Sequence, residues 1–444
     1  MTIKFNFKNI FISNIFIFSF IYIFLFVLYP SNSSYFTCNE LVESKFLNSQ
    51  ISYFIPVSCD LELYLTGVYD LQSIYQFDYN YQSRPLYILF IKIIYELLRL
   101  IILNNLILKF LTFAIAHLII ISFSFKLFVD TLQKLEIKLD KKKFFLLLTF
   151  FSLFPIIKWG VFDASHQTLT FLQFSISFYF LAHKFEKFKT IYFLSFILGI
   201  LALSNMTFAL PLLFLVFHKL NSINKVINNF VHLSITFIIF IVPLLSWNLF
   251  IRSQGFIPYN AATTYWYQFI WLKDFILAGY ENINFNPEGS EYFCMSVPLF
   301  LKCYLTDFLN TLLYISVLPS LCLIIYRHIE PKNKKIFISS VKNLFFIFLI
   351  SFVFWSFIGW YPPLRFNLYS IGSFFVFLFC IQYLLVTNFR IKYISGLIYI
   401  SYFISLNHWN YLEVVRFNFG LLISLLLLLY LLIISFTKNE KMKS

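Results

Sequence analysis

Four acids and one arginine lie close together in a polar stretch near the start of the chain. Asp60, Glu62, Asp70 and Asp78 precede Arg84, although the whole protein has only 20 acids in 444 residues. A carboxylate can act as a general base, which typically accelerates a reaction by about 10²–10⁴-fold. The planar guanidinium of arginine matches the oxygens of a phosphate group. The alternative interpretation is that these acids only solvate a loop.

The elements that must position these residues are membrane helices. The chain is 60% hydrophobic and only 12% charged, and its mean hydropathy is +0.79, whereas a soluble domain has about a quarter of its residues charged. Apolar runs of about twenty residues recur, the length that crosses a bilayer as a helix. The short alternating segments typical of barrel strands are not the pattern here. The sequence predicts a single all-α, polytopic integral-membrane domain over residues 1–444, with about 12 transmembrane helices.

The net charge of +14 lies mainly in short loops between the apolar runs. This distribution follows the positive-inside rule, so we expect no nucleic-acid partner and both termini in the cytoplasm. Residues 31–107 then form a long first extracytoplasmic loop, and residues 251–305 a second large outer loop. Cys38 with Cys59, and Cys294 with Cys303, are either disulfides or free thiols in these loops.

Two segments depart from a plain membrane span. Residues 86–103 carry Lys92, Glu96 and Arg99 at spacings that share one helical face. Each unpaired charge at mid-bilayer costs about 2.5–3.5 kcal/mol. We therefore expect an amphipathic helix at the interface or packed within the bundle. Residues 190–217 are interrupted by Ser204–Thr207 and predict a broken pair of short helices.

Further polar candidates fall in later outer loops. Asp163 and His166 lie at i, i+3 in the stretch WGVFDASHQT and can orient an acceptor or a metal, or belong to a helix N-cap region. Arg365 follows two prolines and precedes an apolar run. It can bind phosphate or serve as an anchor to lipid headgroups.

Several of these stretches together resemble the GT-C class of integral-membrane glycosyltransferases, and the protein O-mannosyltransferase and lipid-A aminoarabinose transferase type in particular. The matching parts are Asp60 with Tyr64 in CDLELY, Arg84-Pro85-Leu86-Tyr87, Asp163, and Arg365-Phe366. The break in LALSNMTFALPLL and the segment Pro243–Phe256 are also similar. The chain departs from the family in having Leu61 between Asp60 and Glu62 instead of an adjacent Asp-Glu pair.

The resemblance implies transfer of a sugar from a polyprenyl-phosphate donor to a hydroxyl on a lipid, glycan or protein acceptor. Asp60 is then the favoured base and Glu62 the second candidate. The remaining site residues, which bind substrate or phosphate, are Arg84, Arg365, Asp163, His166 and Tyr64. The resemblance implies no cofactor and leaves a divalent metal open. The expected location is the bacterial cytoplasmic membrane, with the active site on its outer face.

Two other function classes stay open at this point. A lipid-linked oligosaccharide flippase or other transporter places polar residues near the bilayer midplane, where Asn205, His117 and His232 are candidates. A polysaccharide polymerase or ligase has a large late outer loop, and residues 251–305 fit that feature.

Overall fold

The computed structural model describes residues 6–28, 60–76, 84–154, 157, 168–220, 223–258, 309, 312, 315–358, 368–405 and 419–440. These residues are almost entirely helical, and an isolated bridge between Ile329 and Val386 is the β-pairing found among them. The prediction of an all-α chain is confirmed for this part of the protein. The chain forms two compact units, Met1–Tyr259 and Asn260–Ser444.

The first unit contains ten α-helices among its described residues. They are α1 (Phe7–Leu28), α2 (Asp60–Tyr69), α3 (Ser73–Gln76), α4 (Pro85–Arg99), α5 (Asn105–Lys134), α6 (Lys141–Leu153), α7 (Thr168–His183), α8 (Phe188–Ala202), α9 (Ala209–Leu220) and α10 (Ile223–Ser253). The long helix α5 packs against α1, α4 and α7, and α8 packs against α10.

The second unit is built around α13. Its described helices are α11 (Val317–Tyr326), α12 (Pro331–Ile358), α13 (Ser373–Leu385), α14 (Phe389–Ser405) and α15 (Phe419–Glu440), with a π-helical turn at Leu368–Gly372. Helix α13 packs against α11 and α12, while α14 packs against α15 and α11.

Three described helical segments are long and apolar enough to cross a bilayer. They are Ile107–Lys134, Ile227–Ser253 and Pro331–Val353. Shorter apolar helices occur in both units, among them Phe7–Ile21 and Ser370–Leu385. The chain is therefore a membrane-associated helical protein. The expected total of about 12 crossings stays a prediction.

Aromatic side chains fill the core of the first unit where α5, α6 and α7 meet. The Phe151 ring lies 5.2 Å from Phe125 and 4.7 Å from Phe171, both in edge-to-face geometry. Phe128 stacks on Phe151 at 5.3 Å. All four rings are fully buried, and such pairs add about 0.5–1.5 kcal/mol each beyond the burial of their surface. This packing holds α5 in place, and α4 packs against α5.

Both unusual segments form helices as expected. The predicted amphipathic stretch 86–103 is α4, which ends at Arg99 and buries one face, including Tyr87, Ile88 and Ile91. Glu96 lies 3.4 Å from Lys92 and 3.8 Å from Arg99, so the three charges share a face and are paired. The predicted break at Ser204–Thr207 separates α8 from a 3₁₀ turn at Met206–Phe208 and then α9.

Candidate functional site

Helices α2 and α4 lie side by side and run in the same direction. Tyr64 of α2 meets Arg84 before the start of α4, Val68 meets Lys92, and Tyr69 meets Tyr95. Contacts that advance together along both helices require a parallel arrangement. The N-terminal ends of α2 and α4 therefore meet, and the partial positive charges of two helix N-termini add at that end.

Arg84 and Tyr64 are in direct contact at this shared end. The Arg84 Nη1 donates a hydrogen bond of 2.6 Å to the Tyr64 hydroxyl. Pro85 occupies the first helical position after Arg84, where its missing N–H leaves no helical bond unmade. The Pro-Leu-Tyr sequence thus begins α4 immediately after Arg84. It therefore fixes the position of the Arg84 backbone, from which the guanidinium extends. Arg84 and Tyr64, two of the site residues predicted from the sequence, are thereby brought together.

Beneath Arg84, buried aromatic residues connect the site to the bundle. The Tyr64 and Tyr87 rings meet edge to face at 5.2 Å. The Tyr87 hydroxyl and the Nε2 of His117 on α5 share a hydrogen bond of 2.9 Å. All three side chains are buried. Arg84 is therefore hydrogen-bonded to Tyr64, and Tyr64 packs on Tyr87. The hydrogen bond to His117 joins Tyr87 to the long helix α5.

The break between α8 and α9 also reaches this site. The backbone N–H of Leu86 donates to the Leu203 carbonyl at 3.3 Å. Within the break, the Asn205 side chain accepts from the Thr207 N–H at 3.1 Å. These bonds satisfy polar backbone groups that an interrupted helix would otherwise expose. The break thus anchors the first turn of α4, next to Arg84.

Asp60 and Glu62 both fall in the first turn of α2. Side chains three or four residues apart share a helical face, whereas side chains two apart do not. The Asp60 position is thus one helical turn before Tyr64, and the Glu62 position is on another face of α2. The side chains of Asp60 and Glu62 lie outside the described part of the chain. A carboxylate in a first helical turn also interacts favourably with the helix dipole.

The other predicted site residues, Asp163, His166 and Arg365, lie outside the described residues, as do Cys38, Cys59, Cys294 and Cys303. Among the described residues, no three His, Cys, Asp or Glu side chains are grouped as a metal site would require. Of the cysteines there, Cys322 and Cys380 are buried free thiols.

Sequence reasoning missed the partnership of Tyr87 with His117. The sequence marks Tyr87 only as part of the Pro-Leu-Tyr stretch, and His117 only as a polar residue in an apolar run. A lone histidine in an apolar helix carries no local signal of its partner. The hydrogen bond between Leu86 and Leu203 joins backbone atoms, so the side-chain types in the sequence do not predict it.

Comparisons of this chain with protein-family models, with curated proteins and with solved structures gave no match to any of them.

Proposed function

We propose that this protein is an integral-membrane glycosyltransferase that moves a sugar from a polyprenyl-phosphate donor to an acceptor hydroxyl. The observation that carries the proposal is the hydrogen bond between Arg84 and Tyr64, one helical turn from Asp60. It supports a site in which a cation for phosphate and a candidate base are held at the same end of two parallel helices.

The chemistry needs both groups. The acceptor O–H gives its proton to the base, and its oxygen bonds to the anomeric carbon of the sugar. The bond from that carbon to the phosphate oxygen breaks, and polyprenyl phosphate leaves with the electron pair. Asp60 supplies the base. Arg84, together with the N-termini of α2 and α4, stabilises the departing phosphate.

Asp60 is favoured over Glu62 because it lies four residues, or one helical turn, before Tyr64 along α2, whereas Glu62 lies only two residues before it. Tyr64 itself is buried, so its proposed role is to position Arg84 and not to touch the sugar. We place this site on the outer face of the cytoplasmic membrane in a chain of about 12 crossings. Asp163, His166 and Arg365 stay predicted contributors to substrate or phosphate binding. No cofactor takes part, and any need for a divalent metal is open to test.

The test is release of free polyprenyl phosphate by the purified protein. A panel of polyprenyl-phosphate sugars is supplied with host membrane extract as acceptor, with and without EDTA. Asp60→Asn should abolish release. The matched control is Asp70→Asn, just beyond the other end of α2, where the carboxylate accepts from the Gln72 N–H at 2.9 Å. Asparagine retains that acceptor, so Asp70→Asn should leave release unchanged.

Full release by Asp60→Asn would remove Asp60 as the base. No release from any donor by folded protein would overturn the proposal and favour the flippase alternative. Transport of a lipid-linked sugar across reconstituted vesicles would then be the next measurement. Formation of glycan chains of increasing length would indicate the polymerase alternative instead.

A further inference from the structure

A cavity of about 460 Å³ lies at the end of α2 and α4 that is remote from Arg84. Its wall is formed by the end of α2, the last turns of α4 and the start of α5; the residues that matter here are Val68, Tyr69, Lys92, Glu96, Arg99 and Asn105. The volume falls within the range of about 300–1,000 Å³ that is usual for small-ligand sites. The cavity is distinct from the proposed catalytic site because α2 separates Tyr69 from Asp60 by about 14 Å, at 1.5 Å per residue.

The charged side chains of this cavity have a positive balance. Among the described residues that line it, Lys92 and Arg99 carry two positive charges and Glu96 carries one negative charge. The Lys109 ammonium lies nearby, 5.5 Å from the centre of the Tyr69 ring. Within the described residues, Lys92 donates to the Val68 carbonyl at 2.7 Å and pairs with Glu96. An ammonium has three N–H donors, so a third one can bind an oxygen of a ligand.

The backbone at the start of α5 favours an anion in the same way. Helix α5 begins at Asn105, in the cavity wall, and the N-terminus of a long helix attracts negative charge. Helices α2 and α4 end here, and the partial negative charge of a helix C-terminus opposes an anion. One C-terminal carbonyl of each helix accepts a hydrogen bond that offsets this charge. Val68 accepts from Lys92, and the Leu98 carbonyl accepts from the N–H groups of Ile101 and Ile102.

The rim of the cavity is apolar and projects away from the protein. Leu100 and Ile101 are 83% and 80% exposed, and Leu103, which also lines the cavity, is 98% exposed. Residues of this kind beside cationic groups are typical of a segment that enters the boundary between headgroups and acyl chains. An occupant should therefore have a negative headgroup and hydrocarbon chains.

We propose that this cavity binds the phosphate of an anionic membrane phospholipid, with Lys92 and Arg99 as its ligands and Leu100–Leu103 in the acyl region. The tyrosine pair at its wall supplies hydroxyl groups. Tyr69 and Tyr95 meet edge to face at 5.6 Å, and burial together with Tyr95 raises the pKa of Tyr69, which keeps its hydroxyl protonated. This lipid is separate from the sugar donor, so the inference does not depend on the proposed function.

The test uses purified full-length protein, depleted of lipid in detergent and titrated with phosphatidylglycerol or phosphatidylcholine of equal chain length. Native mass spectrometry counts the lipids that each protein molecule retains. We expect tighter binding of phosphatidylglycerol. One exposed cation near an anionic surface is worth about 1 kcal/mol, so Arg99→Gln should weaken that binding about fivefold. Arg99 is 65% exposed and pairs at 3.8 Å with Glu96, so this change should not unfold the chain.

Glu96→Gln is the decisive second variant because it should change binding in the opposite direction. It removes the negative charge that Glu96 contributes to the described lining of the cavity, so we expect it to strengthen phosphatidylglycerol binding about fivefold. The matched control is Arg252→Gln, an exposed arginine in the last turn of α10, which should have no effect. Inorganic phosphate should not displace the lipid, because it lacks acyl chains.

Four results would overturn the proposal. Equal retention of the two lipids would show that charge does not select the occupant. Equal weakening by Arg99→Gln and Glu96→Gln would indicate loss of local structure instead of loss of a ligand. An effect of Arg252→Gln as large as that of Arg99→Gln would indicate a general surface effect. Displacement by millimolar inorganic phosphate would assign the cavity to a free anion.

Discussion

Tyr87 and His117 form a buried hydrogen bond of 2.9 Å that connects α4 to α5 beneath Arg84. The two residues are 30 positions apart in the sequence, and both are buried. Through this contact the amphipathic helix α4 is joined to α5, which contains one of the described segments long and apolar enough to cross a bilayer. It makes the position of Arg84 depend on α5.

Tyr87→Phe should destabilise the protein by about 1–3 kcal/mol, because it leaves the His117 nitrogen buried without this partner. His117→Leu should have a similar effect. The double variant should be less destabilised than the sum of the two single variants, since both polar groups are then absent. Reversible unfolding in mixed micelles measures the three free energies. Strict additivity would show that the two side chains do not interact.

Tyr64→Phe should slow sugar transfer about tenfold, which corresponds to about 1.4 kcal/mol of transition-state stabilisation. The phenylalanine ring retains the packing on Tyr87 but no longer accepts from Arg84. Arg84→Gln should reduce transfer further and raise the KM for the donor, because it removes the cation itself. Steady-state kinetics with a polyprenyl-phosphate sugar separates kcat from KM.

The control for Tyr64→Phe is Tyr75→Phe. The Tyr75 ring packs against Phe250 and Phe256 in the same unit, and phenylalanine retains that packing. Transfer should be unchanged in this variant. Equal slowing by both substitutions would indicate a general effect of losing a hydroxyl and would exclude a positioning role for Tyr64.

Gly199→Ala should destabilise the packing of α8 on α10. A Cβ at Gly199 would lie 2.2 Å from the Phe240 carbonyl oxygen and 3.1 Å from the Pro243 ring. Alanine is favoured over glycine in a helix interior by about 1 kcal/mol, but a backbone atom at 2.2 Å cannot move without shifting the whole helix. We expect a net loss of about 1–3 kcal/mol, as for overpacked cores.

Gly255→Ala provides the comparison for that variant. Gly255 has a φ of +83° and open space around its Cβ position, so alanine there meets only the backbone penalty of about 1–2 kcal/mol. Shortening the Phe240 side chain should not rescue Gly199→Ala, since the obstacle is a backbone oxygen. Unchanged unfolding of Gly199→Ala would show that α8 and α10 can separate freely.

Ser122→Ala should lower stability by about 0.6 kcal/mol, and at most by about 1.7 kcal/mol, the range measured for hydrogen bonds between membrane helices. The Asn14 side chain of α1 donates to the Ser122 hydroxyl of α5 at 2.7 Å, and both residues are buried. Ser124→Ala is the matched control because that hydroxyl bonds within its own helix, to Ile120 at 3.0 Å. Mixed-micelle unfolding of both variants should show the larger loss for Ser122→Ala.

The sequence by itself determined the membrane class, the amphipathic character of α4 and the interruption after α8. Each depends on local composition or on the spacing of neighbouring residues. Apolar runs indicate helices that cross a bilayer, and the spacing of Lys92, Glu96 and Arg99 sets a shared face whatever surrounds the helix. The sequence also placed Asp60 one turn before Tyr64.

Only the tertiary structure decided which residues meet. Arg84 reaches Tyr64 because α2 and α4 pack in parallel, and Tyr87 reaches His117 because α4 packs on α5. Apolar helix surfaces permit many such packings, so hydropathy does not select one of them. The anchoring of Leu86 by the Leu203 carbonyl is a backbone contact between distant segments. The cavity near Arg99 likewise exists because three helix ends meet there, an arrangement that no single segment encodes.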